Sequence, residues 1–371
     1  MPREIIGIIC EYNPFHNGHL HHINKIKKKY PNSLIVLVMS GYFTMRGEIS
    51  ILSKEDKTKI ALDNNIDIVL ELPIIYNQSA DTFAHRSIEI LNHFKVDKII
   101  FGSESNDIST LTKIVDIQLN DSTYNNKVKE LMTTGINYPT AMAKALNINI
   151  EYTPNDLLGI SYIKAIKQIN NNIVPETIKR TNDFHDNESN EDIVSASNIR
   201  EKLKSNKDIS KYIPYNISSY LKDINYNILF NILKYKIITD TNLDNYLTVD
   251  EGIENRLKQV VINSTNIEEL ITNTKTKSYT YNKINRMLLH ILISLKKEHS
   301  KNNLEYIKIL GFNKQGQEYI SSIKKDIEIP TSPISNSTQL QYELNTSLIY
   351  DLITNSNTYK YELSNNPKRE Q

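Results

Sequence analysis

Four short stretches of this chain are apolar at nearly every position, where a half-wet strand would alternate apolar and polar side chains. They are Ile5-Ile6-Gly7-Ile8-Ile9-Cys10, Leu34-Ile35-Val36-Leu37-Val38-Met39, Asp67-Ile68-Val69-Leu70-Glu71-Leu72 and Lys98-Ile99-Ile100-Phe101. Such runs suit parallel strands covered on both faces. Segments of helical spacing separate them. Residues 17–29 follow the first run, and residues 54–64 begin after Ser53 with Asp56 placed for a capping box. Residues 79–94 carry Ala80, Phe83, Ala84, Ile88 and Leu91 along one stripe. This alternation predicts an α/β fold, a doubly wound parallel sheet with right-handed crossovers. Ligands of such sheets sit beyond the carboxyl ends of the strands, near the switch in strand order. A site is therefore expected among residues 10–20, 40–48, 73–79 and 102–107.

Residues 108–170 read as mostly helical and 176–180 as one more short strand. Residues 181–194 (TNDFHDNESNEDIV) are polar and acidic without periodicity, which predicts a mobile loop. Beyond residue 207 the pattern changes to long helices, at 225–238, 251–262 and 280–295, with a small strand–helix–strand unit near 304–330. The expected division is a catalytic domain over 1–207 and a mainly helical C-terminal domain over 208–371, which suits a chain of 371 residues. The 44 basic and 43 acidic side chains leave a net charge of +1, excluding a uniformly basic nucleic-acid coat but leaving room for a local basic face. The single cysteine, Cys10, excludes a disulfide scaffold and any Cys-rich metal site, and suits a reducing cytoplasm. No apolar run approaches the length of a membrane span and the N-terminus does not read as a signal peptide, so a cytoplasmic protein with no membrane association is expected.

The strongest chemical signal is Gly7-Ile8-Ile9-Cys10-Glu11-Tyr12-Asn13-Pro14-Phe15-His16-Asn17-Gly18-His19-Leu20. A buried strand enters an Asn-Pro turn and then His-x-Gly-His at a helix start. Pro14 fixes the turn, Gly18 allows close approach to the backbone, and His16 and His19 fall on one side of the first helical turn. Unpaired N–H groups and the helix dipole make that terminus a phosphate site. A bare pair of histidines at this spacing reads as a capped helix with two surface imidazoles; its place directly after the first strand favours nucleotide phosphates. A second signal is Ser195-x-Ser197-x-Ile199-Arg200, where hydroxyls and free N–H groups precede an arginine one turn into a helix.

These two motifs resemble the HIGH-type nucleotidyltransferase superfamily, SASNIR being similar to its second motif, usually ISxTxIR. The closer resemblance is to the bacterial tRNA(Met) cytidine acetate ligase family. It runs along most of the chain, through EYNPFHNGH, MSGYFTMRGE (39–48), DIVLELP (67–73), FGSESND (101–107), TPNDLLGISYIKAI (153–166), TIKR (177–180), EGIENRL (251–257) and KSYTYNKINRMLLHIL (277–292). The resemblance implies that ATP and acetate react and that the acetyl group passes to the wobble cytidine of elongator tRNA(Met), forming N4-acetylcytidine. It assigns Gly7 to Leu20, Gly102, Asn155 and Arg180 to ATP, beside Ser195, Ser197 and Arg200. Relatives often carry an arginine in the helix after residue 48, where this chain has Lys54-Glu55-Asp56-Lys57-Thr58-Lys59, and whether a lysine replaces it is open.

The expected chemistry is a two-step ligase reaction through acetyl-adenylate, with His16, His19, the helix dipole and the arginines stabilising charge and no covalent protein nucleophile. Mg2+ on the phosphates is expected by chemical analogy, with no dedicated carboxylate cluster to mark it and no protein metal site. For substrate or tRNA the candidates are Arg46, on the loop after the second strand, and the basic stretch carrying Lys275, Lys277, Lys283 and Arg286 with Tyr279 and Tyr281 among them. Lys25, Lys27, Lys28 and Lys29 form a weaker basic candidate. Two other readings share these motifs: an adenylyltransferase acting on a cofactor precursor, which leaves the C-terminal region unexplained, and an RNA-binding protein that holds ATP without turnover, against which both intact histidines argue. The sequence leaves the acid, the target base and the oligomeric state open.

Overall fold

The computed structural model describes residues 3–136, 138–146, 153–180, 192–364 and 367–369. Each apolar run forms a strand: β1 (Ile5–Cys10), β2 (Leu34–Ser40), β3 (Ile68–Leu72) and β4 (Lys98–Ser103), joined by β5 (Val174–Lys179). The helices between them are α1 (Asn17–Lys29), α2 (Lys54–Asp63) and α3 (Ala80–His93). Helices α4 to α7 (Ile108–Asn120, Ser122–Thr133, Tyr138–Leu146 and Pro154–Ile169) lead to β5. Half of the capping box expected for α2 is present: Ser53 Oγ accepts from the Asp56 N–H at 3.1 Å, but the Asp56 carboxylate takes the Ser53 hydroxyl at 2.7 Å.

The strands β5-β4-β1-β2-β3 are all parallel neighbours in that order. The chain steps outward from β1 to β3, then returns to β4 on the other side of β1. The switch in strand order therefore falls between β1 and β4, and their carboxyl ends open the crevice where a ligand is expected. Side chains alternate between two cores. Ile6, Ile8, Ile35, Leu37 and Val69 pack on one face with Ile23, Ile60 and Ile199, while Val36, Val38, Ile68, Leu70 and Ile99 pack on the other with α3 and α7.

After α8 (Ala196–Lys204) come α9 (Tyr226–Thr239), α10 (Ile253–Asn263), α11 (Ile267–Thr274) and α12 (Tyr281–Leu292), followed by β6 (Ile309–Phe312), α13 (Lys314–Ile323), α14 (Thr338–Thr354), α15 (Thr358–Ser364) and β7 (Lys368–Arg369). The core on the α3 side of the sheet continues into α9, α10 and α12. The anticipated strand–helix–strand unit has a different form: β6 pairs antiparallel with β3, α13 follows it, and the second strand is β7 at the far end of the chain. The sheet of residues 5–179 is thus extended by two strands from residues beyond 207.

A buried ionic group ties these parts together. Lys54 Nζ at the start of α2 lies 2.5 Å from Glu71 Oε1 of β3, 2.5 Å from Glu362 Oε2 of α15 and 3.7 Å from Glu343 Oε2 of α14. Lys308 Nζ, just before β6, is 2.5 Å from the other Glu362 oxygen. Three carboxylates thus surround two ammonium groups. Burial and the neighbouring Glu71 push the Glu343 carboxyl well above its usual range, which relieves the excess negative charge.

Candidate active site

The turn between β1 and α1 is pinned from both sides. Tyr12 adopts a left-handed backbone conformation, and the Asn13–Pro14 peptide is cis. Asn13 Nδ2 donates to the Ile49 carbonyl at 3.2 Å, while its Oδ1 accepts from the Ile51 N–H at 3.0 Å. Arg200, one turn into α8, donates through one nitrogen to the Asn13 carbonyl and through the other to Glu48 Oε2, both at 2.7 Å. The second motif is thereby joined to the first and to the loop after β2. Ser195 caps α8, its Oγ accepting from the Asn198 N–H at 3.2 Å and lying 2.9 Å from Ser197 Oγ.

The two histidines are the cap of α1. His16 Nδ1 accepts from the Gly18 N–H at 3.0 Å, and His19 Nδ1 accepts from the His16 N–H at 3.2 Å. This is a capping box built from imidazoles. Because each Nδ1 lone pair receives a backbone hydrogen, the neutral rings carry their proton on Nε2. Gly18 has a specific reason to be glycine: a Cβ there would lie 2.8 Å from His16 Cε1 and 2.9 Å from its Nδ1. The group that approaches the Gly18 backbone is the His16 ring itself. The rings of His16 and His19 are 3.8 Å apart, and Tyr12 packs edge-on against His19 at 4.7 Å.

These imidazoles are neutral. Burial first, and then Arg180 and Arg200, push His16 down to about 3. Burial, His16 and Arg180 hold His19 well below its usual range. His16 is buried, whereas the histidines of an ordinary capped helix would lie at the surface. The formal positive charge near the crevice belongs to Arg180 and Arg200, and the histidines offer neutral N–H donors.

His22 extends the same face by one more turn and was not singled out from the sequence. Its Nε2 is buried without a hydrogen-bond partner, and burial with Arg180 pushes its pKa down to about 4. The spacing of His16, His19 and His22, three residues at each step, was the available signal.

On the β4 side, Gly102, next to last in the strand, lies against Arg180, whose Cγ would be 3.3 Å from an added Cβ. Glu104 organises this wall and was also missed. Its carboxylate accepts from Asn155 Nδ2 and from Thr153 Oγ1, the latter at 2.7 Å, and lies 3.5 Å from Arg180 Nε. Asp156 accepts from Ser103 Oγ and from the Ser105 N–H, holding the loop after β4 in place. Gly102, Asn155 and Arg180 are therefore brought together, the last two through an acid that no sequence spacing revealed.

Other residues of the first motif serve packing. Gly7 lies inside β1, and a Cβ there would meet Ile99 Cδ1 at 2.7 Å and Leu91 Cδ1 at 2.9 Å. Ile8 and Phe15 are fully buried, while Ile9 and Leu20 lie half-buried against the two cores. Asn17 Nδ2 donates to the carbonyls of Asp192 and Lys211. Burial pushes the Cys10 thiol up to about 12, so it is no nucleophile. The Glu11 carboxylate accepts from the Met45 N–H at 2.6 Å.

Of the three lysines in the stretch where relatives carry an arginine, Lys54 and Lys57 are used internally and Lys59 is exposed. Lys57 is fully buried and donates to the carbonyls of Glu11, Ser40 and Gly41 at 3.1, 2.7 and 2.7 Å, tying together the ends of β1 and β2. Lys54 belongs to the carboxylate group above.

The basic stretch divides. Lys275, Lys277 and the ring of Tyr281 are exposed, the Tyr281 hydroxyl donating to Glu268 at 2.7 Å. Tyr279 offers no stacking face, contrary to expectation: it is buried, its hydroxyl donates to the Asp250 carbonyl at 2.8 Å, and Lys283 Nζ sits 3.7 Å over its ring. Arg286 is beside Arg46. Lys27 and Lys29 pair with Asp67 and Glu176 near the amino ends of the strands, away from the crevice. Most of the acidic stretch 181–194, expected to be a mobile loop, lies outside the described residues, which resume at Asp192.

A histidine-capped helix at the β1/β4 switch point, faced by an SxSxIR helix start, defines a nucleotidyltransferase of the HIGH type. A family model described as HIGH Nucleotidyl Transferase matches residues 3–366. The chain is 36% identical over 343 residues to a tRNA(Met) cytidine acetate ligase of Fusobacterium nucleatum, covering 88% of this chain and 86% of that one. It is 40% identical over 306 residues to one of Mycoplasma mobile, covering 79% and 99%. It therefore belongs to the tRNA(Met) cytidine acetate ligase family and is an ATP-dependent ligase of tRNA modification. Its fold matches the apo crystal structure of Thermotoga maritima TmcAL with a TM-score of 0.86 at 25% identity, over 95% of each chain. A form of that protein bound with α-thio ATP is alike in fold, at a TM-score of 0.86 and 24% identity over 99% of this chain and 100% of the other. No helix among the described residues is long and apolar enough to cross a membrane.

Proposed function

We propose that this chain activates acetate with ATP and acetylates the wobble cytidine of elongator tRNA(Met). An acetate oxygen attacks the α-phosphorus, the bond to the bridging oxygen breaks, and pyrophosphate leaves. The exocyclic amine of the cytidine then attacks the acetyl carbon, AMP leaves with its bonding electrons, and the amine gives up one proton, yielding N4-acetylcytidine. The observation that carries this reading is the reciprocal His16–His19 cap. It fixes two neutral imidazoles with their protons on Nε2, next to the N-terminal N–H groups of α1. Such donors are placed in advance of the charge that grows on the departing pyrophosphate, so little reorganisation is needed. Arg180, held by Glu104 at the carboxyl end of β4, and Arg200, held by Asn13 and Glu48, supply positive charge close to His16. In this reading Gly102 and Asn155 border the nucleoside. Mg2+ would be held by the ATP phosphates, where it would neutralise part of their charge; among the described residues the carboxylates close enough together to hold a metal, Glu71, Glu343 and Glu362, already surround Lys54.

The test is transfer of labelled acetate to total tRNA in the presence of ATP, followed by nucleoside analysis. Label recovered as N4-acetylcytidine from elongator tRNA(Met) supports the reading. Acetate-dependent pyrophosphate exchange without transfer to RNA overturns the second step, and no exchange overturns both.

A further inference from the structure

Arg286, on the second turn of α12, is half-buried, and its Nε is sealed from solvent without an acceptor. Among the described residues it makes no hydrogen bond or ion pair. Its charged neighbour is a second arginine, Arg46, and burial together with that like charge pulls the Arg286 pKa down. The arrangement is rigid. Asn285 Nδ2 donates to the Arg46 carbonyl at 2.9 Å, and Gly47 is pressed so closely on α12 that a Cβ would lie 2.6 Å from the Asn285 carbonyl oxygen. A guanidinium taken out of water without a counter-charge is unfavourable, and beside another guanidinium more so. Arg46 already acts on the Glu11 carboxylate, so it is Arg286 that lacks a counter-charge among the described residues.

We propose that Arg46 and Arg286 together grip a backbone phosphate of the RNA strand carrying the target cytidine, and that the exposed rings of Tyr226 and Tyr281 stack on its bases. This rests on the reading of the chain as an enzyme acting on tRNA. Position favours RNA over the small substrates. The nucleotide crevice lies between β1 and β4, whereas Arg46 is on the loop after β2, on the other side of β1. Exposed Lys275 and Lys277 precede α12, so a polyanion reaching Arg286 can cross cationic surface on its way. Tyr226 and Tyr281 are 52% and 40% exposed, and each senses the carboxylate of Glu48, the residue that holds Arg200 of the second motif. Exposed tyrosines at the rim of a cationic seam match the way single-stranded loops are held, by base stacking with phosphate contacts alongside. Guanidinium pairs are suited to a phosphodiester because their planar forks donate to two oxygens at once.

The experiment measures direct binding of elongator tRNA(Met) across a salt series, with acetate-dependent pyrophosphate exchange in parallel, for the whole chain and for Arg286→Gln, Arg46→Gln and Tyr226→Ala. Each arginine variant is expected to weaken tRNA binding about tenfold and to reduce the slope of log affinity against log salt by about 0.7–0.9, one phosphate contact. Tyr226→Ala is expected to weaken binding about tenfold with the slope unchanged. Unchanged affinity and slope in both arginine variants overturn the proposal. So does a raised KM for acetate or ATP with tRNA binding intact, which would make the anion a small substrate. Arg286→Lys, which keeps the charge, is expected to recover the salt slope, and failure to do so while folded counts against a phosphate contact. Binding is read without transfer, so a chain that binds tRNA at this seam but transfers no acetyl group would defeat the proposed reaction and leave this surface standing.

Discussion

His19 accepts the backbone N–H of His16, while His16 accepts the N–H of Gly18, so the residues proposed to meet phosphate also terminate the helix that presents them. Capping and chemistry are therefore superimposed on the same two rings, and a single alanine substitution would confound them.

Asparagine separates the two roles, because it caps helices well but has no imidazole donor. His16→Ala is expected to lower stability by about 1 kcal/mol, as loss of an N-cap does. His16→Asn should recover most of that loss. Both should slow acetate-dependent pyrophosphate release about a hundredfold, or roughly 3 kcal/mol. Denaturant midpoints and pyrophosphate exchange on the purified variants check this. A near-normal rate in the asparagine variant would reduce His16 to a cap.

Stability should fall on mild acidification. Burial holds His16 at about 3 and His290 at about 4, against the usual 6.5. Both are neutral in the fold and bind protons more readily once unfolded. Their contribution is complete above about pH 6.5 and is lost as the pH falls from there towards 4 and then 3. Between pH 6.5 and 5 the loss should be on the order of 2 kcal/mol for each histidine. Protonating His16 also removes the lone pair that caps α1. Urea midpoints at pH 7.5, 6 and 5 measure the trend, and a flat profile contradicts it.

Two glycines of the proposed nucleotide site should respond oppositely to alanine. At Gly7 the new methyl would displace Ile99 and Leu91 in the core, and about 1–3 kcal/mol of stability should be lost. At Gly102 it would touch only the Arg180 side chain, at 3.3 Å, so the unfolding midpoint should hold while the KM for ATP rises several-fold. Equal midpoints for the two variants would show that β1 accommodates the methyl.

Lys54→Met should be among the most damaging single substitutions. It removes the cation between Glu71 and Glu362 and leaves their carboxylates buried, which typically costs about 3–5 kcal/mol. Since Glu343 and Glu362 belong to α14 and α15, those helices should loosen first. Hydrogen exchange across residues 338–364 would show this, and unchanged protection there would contradict it.

Much of this molecule was legible in its order of residues. The four apolar runs became β1 to β4, and Ser53, His16 and Ser195 each mark the start of a helix, because strand burial and helix capping are settled within a few neighbouring positions. The HxGH and SxSxIR segments could be read as helix starts for the same reason, and the phosphate role proposed for them rests on that placement. What the tertiary structure alone decided are meetings between distant residues. Glu104 gathers Thr153, Asn155 and Arg180 from two other segments. Arg286 comes to rest beside Arg46, 240 positions away in the chain. Tyr279, which its neighbours in sequence made a stacking candidate, is taken into the core by the carbonyl of Asp250. Lys54 and Lys57 look like any solvated pair on a helix, yet both are enclosed, one by carboxylates and the other by strand-end carbonyls. Local periodicity carries no record of which side chains a packed core will bring within 3 Å, and the polar groups sealed inside must find partners there because water no longer reaches them.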